Sequence, residues 1–236
     1  ELVVITTWVT TFSTIAYLSL GQVVIYRAAN TDGNKWLPDA YHFLLNYAGI
    51  STIVCWIVAL SIQFSTFQGL YGKITPTFLL VGLLLIPFKI WEPYSSSMLQ
   101  ALERLDIHNR NQILGGTVGF LSAMVLLFLL DAGLLSVIIG IILSQLIIAA
   151  GGISLIHRMA KGFSLPSRTT IEYYLVNGLK LHINAIAGFI ISGSDVLMLS
   201  YYRGLDETAY YQMAVQLMGL PLLIPRSEER RVGKEC

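Results

Sequence analysis

Charge is the scarce ingredient of this sequence. Only 12% of its 236 residues are Asp, Glu, Lys or Arg, against 55% hydrophobic residues and a mean hydropathy of +0.66. An ordinary soluble domain carries about 25% charged residues. Half of that cannot coat a water-facing surface of this size, so a soluble globular enzyme is excluded. A disordered chain needs high charge and few apolar residues, and the same figures exclude it. A formal net charge of +1 argues against nucleic acid as a partner, because phosphate binding needs a concentrated basic face. Cysteine is nearly absent. Cys55 sits alone in an apolar run and Cys236 is the last residue, so no disulfide is expected. The four histidines are scattered without ligand spacing, so no metal site is expected either. There is no GxxxxGK[ST] phosphate loop, no HExxH and no GxSxG. The chain reads as neither a nucleotide-driven motor nor an enzyme.

What is present is a series of long apolar stretches. A spanning helix needs about 20 mostly apolar residues. Six stretches qualify: Leu2 to Tyr26, Ala40 to Gln63, Thr77 to Gln100, Gln112 to Leu130, Gly133 to Ile156 and Glu172 to Tyr202. A seventh opens near Glu207 and runs to Pro225. The sixth is too long to lie wholly in lipid, so its first turns are expected along the membrane surface. A β-barrel needs strands of about ten residues with alternating polarity, whereas Leu134 to Ile148 is almost continuously apolar. The expected fold class is all-α, a polytopic transmembrane helix bundle.

Basic residues collect on one side of these stretches. Arg27, Lys35, Arg104, Arg110, Arg158, Lys161 and Arg168 follow the first, third and fifth; only Lys73 and Arg203 stand on the other side. The positive-inside rule puts the richer side in the cytoplasm. The ends read as broken. Glu1 opens inside an apolar run with no charged leader and cleavage site. Residues 226–236 (RSEERRVGKEC) abruptly turn polar and resemble translated sequencing adapter, so they are set aside from fold reasoning.

Ionisable groups at membrane depth are costly and draw attention for that reason. Lys89 and Glu92, between Pro87 and Pro93, share a helix face at i,i+3. They either neutralise each other inside the protein or line a charged cavity, and the prolines favour a kinked helix. Lys180 and Asn184 share a face, with His182 about 200° away from Lys180. Either Lys180 snorkels to the cytoplasmic interface while His182 packs on a neighbour, or Lys180 meets an anionic headgroup. Asp195 either caps local donors or serves as a protonatable or cation-binding gate. Gly115, Gly116, Gly119, Gly151, Gly152, Gly188 and Gly193 are expected to let helices approach closely.

From Leu179-Lys180-Leu181-His182-Ile183-Asn184 through Ser194-Asp195-Val196-Leu197-Met198-Leu199 the chain resembles the seventh helix of bacterial polysaccharide flippases. These are the O-antigen repeat-unit translocases of the multidrug/oligosaccharidyl-lipid/polysaccharide exporter superfamily. Gly204 to Ala214 resembles the family's turn into its eighth helix, with Ala209 where glycine is common. Leu20 to Arg27 resembles the end of the second helix, and Ala101 to Asn109 the turn between the fourth and fifth. The resemblance implies two bundles in a V. Residues 1–156 would be helices two to six of the first bundle, 157–171 the cytoplasmic linker, and 172–225 the start of the second bundle. It implies a multi-pass protein of the bacterial inner membrane that moves undecaprenyl-pyrophosphate-linked oligosaccharides to the outer leaflet by alternating access. No cofactor is implied beyond a proton or sodium gradient. The implied partners are the lipid-linked oligosaccharide, the bilayer, a polysaccharide polymerase and a chain-length regulator. By that logic Lys180, Lys89 and Arg27 are anion-contact candidates, and Asp195, Glu92 and His182 are coupling or gating candidates. The alternatives are a cation-coupled multidrug exporter, a peptidoglycan-precursor flippase, or a membrane polymerase or acyltransferase.

Overall fold

A computed structural model describes residues 1–31, 33–71, 74–160 and 166–219, apart from the side chains of Phe67, Gln68 and Ser192. Lys73, Lys161, the middle of the 157–171 connection, residues 220–225 and the 226–236 tail lie outside these residues. All the regular structure described is helical. The order is α1 Leu2–Ala16, α2 Leu20–Ala29, α3 Leu37–Gln63, α4 Pro76–Leu83, α5 Ile86–Ala101, α6 Leu105–Leu130, α7 Leu134–Met159, α8 Arg168–Tyr202 and α9 Leu205–Gly219. Among the described residues, five segments are long and apolar enough to cross a membrane. They are Gly33–Gln63, Pro76–Ala101, Leu105–Leu130, Leu134–Met159 and Arg168–Ile191; the pair α1 and α2, bent by 47°, makes a sixth. The chain is an all-α, multi-pass membrane bundle.

Two of the six crossings are broken, for different reasons. Between α4 and α5 the cause is Pro87. Proline has no backbone N–H, so the Leu83 carbonyl, four residues earlier, loses its helical donor. The indole Nε1 of Trp56 on α3 donates to that carbonyl at 2.9 Å. The helix is therefore interrupted at Leu84 and Leu85, just ahead of Pro87, and the interruption is bolted to a neighbour. Between α1 and α2 there is neither proline nor glycine. Leu18 and Ser19 sit at φ 47° and 50°, in the left-handed region that L-residues enter at a cost of about 1–2 kcal/mol each. The first stretch, expected as one helix, is two.

α8 is uninterrupted from Arg168 to Tyr202, so no separate surface segment splits from its start. Its first turn is set by Ser167, whose hydroxyl accepts from the Thr170 amide at 3.2 Å, a serine N-cap. Gly204, at φ +96°, ends the turn into α9.

Helix contacts follow the glycines. α6 and α7 form an antiparallel pair closed by Asp131 and Gly133, both at positive φ. A Cβ on Gly140 would lie 2.5 Å from the Gly119 carbonyl oxygen. Gly115, Gly119, Gly151 and Gly152 all sit at such close approaches, as expected, whereas Gly116 and Gly188 face open space. The three atoms nearest a Cβ at Gly193 all belong to Phe189 of its own helix. At the far end of α3, Tyr71 donates to the Ala59 carbonyl at 2.9 Å and meets Trp8 edge-on; burial pushes its phenol up to about 12. The outward faces are apolar. Ile53 on α3, Phe128 and Leu129 on α6, and Ile183 on α8 are all more than half exposed, which suits surroundings of hydrocarbon.

Gly140→Val should lower the unfolding midpoint in detergent, costing about 1–3 kcal/mol through overpacking. Gly116→Val on the open face of the same pair should leave it unchanged. Circular dichroism on both variants checks this.

Candidate functional site

At the Tyr17–Ser19 break the amides of Ser19, Leu20 and Gly21 no longer reach back four residues; this leaves the Ile15 and Ala16 carbonyls without a backbone donor, while the Tyr17 carbonyl keeps the Leu20 amide at 3.3 Å. Each carbonyl receives a side-chain donor from a different helix. His182 Nε2 on α8 stands 3.1 Å from the Ile15 oxygen. Tyr47 on α3 donates to Ala16 at 3.0 Å, and Tyr94 on α5 donates to Tyr17 at 2.6 Å. A backbone polar group left unpaired in hydrocarbon costs several kcal/mol, so the His182 and Tyr47 donors on Ile15 and Ala16 offset most of what the break costs, and Tyr94 adds a second donor to Tyr17. Cys55 adds a weaker contact, its thiol 3.6 Å from the Phe12 carbonyl.

His182 is 2% exposed. Its ring stacks edge-on against Tyr17, with centroids 5.6 Å apart, and its Nδ1 is 3.4 Å from Ser19 Oγ. One turn earlier on the same face, Gly178 lets α8 come in: a Cβ there would be 2.8 Å from the Leu18 carbonyl. Lys180, on the far side of α8, is exposed and has no ion-pair partner among the described residues. The faces read from the sequence are therefore the faces observed.

Arg27 closes the α2 end of the bundle. Its guanidinium lies 4.0 Å from Asp39 on α3 and sits over the rings of Tyr173 at 5.9 Å and Tyr174 at 5.2 Å. Tyr174 in turn stacks on Phe43 of α3 at 5.1 Å. The ends of α2 and α3 are thereby clamped to the start of α8. Arg27 Nη1 is buried and makes no hydrogen bond among the described residues.

Lys89 and Glu92 pair at 3.1 Å, with about a third and a quarter of each side chain exposed. The sequence did not single out Gln112 of α6, whose amide donates to the other carboxylate oxygen of Glu92 at 2.8 Å. Gln112 is the last of the polar run Asn109-Arg110-Asn111-Gln112 near the start of α6, and its place where that run gives way to apolar residues was the available signal. Asp195 accepts from the Tyr211 hydroxyl on α9 and from the Val196 amide at 2.8 Å, so it joins α8 to α9. The three cation candidates do not converge. Arg27, Lys89 and Lys180 stand on α2, α5 and α8, each in its own surroundings. Among the described residues no three His, Cys, Asp or Glu side chains gather as a metal site would require.

A family model described as polysaccharide biosynthesis protein matches residues 2–225. No curated protein matches the chain, and no solved structure does.

Tyr94→Phe should destabilise the protein by about 0.5–1.5 kcal/mol, the worth of one hydrogen bond to a carbonyl that keeps its other donor, the Leu20 amide, read as a lower unfolding midpoint in detergent. For the ion pair, Lys89→Met alone should cost more stability than Lys89→Met with Glu92→Gln. The first strands a carboxylate and the second does not. A double-mutant cycle measures the difference, expected at about 1 kcal/mol because both groups are partly exposed.

Proposed function

From the premise that the chain belongs to the polysaccharide biosynthesis protein family, as a multi-pass membrane protein, we propose that it flips undecaprenyl-pyrophosphate-linked oligosaccharide repeat units from the inner to the outer leaflet of the bacterial inner membrane. It works by alternating access and draws on a proton or sodium gradient. A polysaccharide polymerase and a chain-length regulator take over its product. It is a transporter and not an enzyme.

The observation that carries this reading is Arg27. Its guanidinium is held in place by two tyrosine rings and has a carboxylate at the limit of ion-pair distance. Its buried Nη1 nevertheless meets no acceptor in hydrogen-bonding geometry among the described residues. Arginine's planar fork matches phosphate oxygens, and such charge-assisted bonds are about twice as strong as neutral ones. Arg27 also stands on the arginine-rich side that the positive-inside rule assigns to the cytoplasm, where a lipid-linked precursor has to enter. Lys180 lies about 18 Å along α8 from Arg168, at 1.5 Å per residue, and it is exposed, with no counter-ion among the described residues. It is a second phosphate contact further along the path. An apolar tail would remain in the bilayer beside the helices' hydrocarbon-facing sides, so the protein need handle only the polar head.

In cells where this protein is the sole translocase, Arg27→Ala and Lys180→Ala should each cut surface polysaccharide several-fold, with normal membrane levels and accumulation of lipid-linked repeat units inside. Immunoblotting of surface polysaccharide and extraction of the lipid pool decide it. Unchanged surface polysaccharide in both variants would remove the phosphate-contact reading.

A further inference from the structure

We propose that the uncovered face of α1 is a track of hydroxyl oxygens that receives the sugars of the cargo and turns its phosphate away. The choice of sugar as the occupant rests on the flippase reading above.

α1 has two unlike faces. Val3, Thr6, Thr7, Thr10 and Thr14 fall within one sector about 100° wide. Ile5, Val9 and Phe12 lie on the opposite side and are buried in the core. Thr10 is exposed, and Thr6, Thr7 and Thr14 are partly so. Open faces elsewhere in the bundle are apolar: Ile53 of α3, Phe120 of α6 and Ile183 of α8 are each more than half exposed. On α1, Ile15 is the one exposed large apolar side chain among the described residues, and it stands outside the threonine sector. What this sector meets is therefore unlike what the other open faces meet.

The threonines have committed their hydrogens to the helix. Thr6 donates to the Val3 carbonyl at 2.9 Å, Thr7 to the same carbonyl at 2.8 Å and Thr10 to the Thr6 carbonyl at 2.8 Å. A hydroxyl has one hydrogen and two lone pairs, so each oxygen is left as an acceptor. Thr6, Thr10 and Thr14 repeat about every 6 Å along the axis. α1 carries no Asp, Glu, Lys, Arg or His. A face of acceptors without a cation suits a neutral ligand rich in O–H donors, which is what a sugar is. It repels phosphate, whose ionised oxygens only accept. Against hydrocarbon the same oxygens would go without bonds.

The placement agrees. α8 and α9 both pack against α1. On the flippase reading these two helices open the second bundle, so α1 stands at the junction of the bundles. Arg27, on α2 beyond the break, then takes the phosphate while α1 takes the sugars. Neutral hydrogen bonds are about half as strong as charge-assisted ones, so the track holds sugars loosely enough to let them pass.

The first test is whether the face meets water. In the intact protein, with the native cysteines replaced, a single cysteine is placed at Thr10 or, as a hydrocarbon-facing reference, at Ile53. Membrane vesicles of both orientations are treated with a charged maleimide. The thiolate is the reacting form and does not form in hydrocarbon, so Thr10→Cys should label at least fivefold faster than Ile53→Cys. Equal labelling would mean that acyl chains or another helix cover the face, and it overturns the proposal. The second test is export, in cells where this protein is the sole translocase. Thr6→Val, Thr10→Val and Thr14→Val combined keep the shape and remove the oxygens, so surface polysaccharide should fall at least threefold at normal membrane levels. Serine at the same three positions keeps the oxygens and should export normally. Undiminished export with valine, or an equal loss with serine, overturns the proposal and leaves the flippase reading standing. Should the triple valine variant fail to reach the membrane, Thr10→Val alone must halve export; unchanged export overturns the proposal equally. A parent protein that exports no polysaccharide removes the flippase reading, and the sugar as occupant goes with it.

Discussion

Three backbone carbonyls, those of Ile15, Ala16 and Tyr17, govern how this bundle is put together. In water a broken helix is cheap, because solvent takes over the freed groups. In hydrocarbon nothing does, and each orphan costs several kcal/mol. The Leu20 amide still serves Tyr17, but the Ile15 and Ala16 carbonyls need donors from other helices; α8 and α3 supply them, and α5 adds one to Tyr17. The break therefore fixes where three other helices stand. Glycines at Gly21 and Gly178 make that convergence sterically possible. A Cβ at Gly21 would lie 3.0 Å from the Pro93 carbonyl of α5, and one at Gly178 would lie 2.8 Å from Leu18 O. The same trade governs the second broken crossing, where Trp56 replaces the donor that Pro87 lacks.

These two breaks show what a sequence does and does not disclose. Proline is a local cause, so the α4–α5 kink is legible from Pro87 alone. The α1–α2 break has no local cause. Tyr17-Leu18-Ser19 carries no proline or glycine, and its left-handed backbone is tolerated only because His182, Tyr47 and Tyr94 lie, respectively, 167, 31 and 77 positions away in the chain. A donor at that separation leaves no periodic trace. The six crossings were readable because hydrophobicity over about 20 residues is a summed property that survives such local exceptions.

The candidate residues divide along the same line. Lys89 and Glu92 pair because i,i+3 spacing on a helix is geometry. His182 and Lys180 part company because 200° of rotation is geometry too. Gln112 and Tyr211 complete the environments of Glu92 and Asp195 from other helices, and only the tertiary arrangement brings them there. The close-packing glycines of α6 and α7 announce themselves by clustering. Gly178 stands alone in sequence, and its role appears only once Leu18 is found beside it.

The surroundings of the three cations rank them as hosts for an anionic headgroup. Lys89 already holds Glu92 at 3.1 Å. A phosphate arriving there must displace a carboxylate and leave it in a medium that charges it heavily for isolation. Arg27 is intermediate. Asp39 sits at 4.0 Å, the limit of an ion pair, while one nitrogen has no acceptor among the described residues, so a phosphate oxygen gains a bond there before any of these is broken. Lys180 has no ion-pair partner to surrender among the described residues, but neither has it anything holding it in place. A flexible ammonium gives up more rotamer freedom per contact than a guanidinium fixed between aromatic rings. On the flippase reading this gradation has a physical use. A site that binds firmly at entry and loosely along the path favours passage over trapping, and Lys89, already neutralised, serves the protein's own cohesion first.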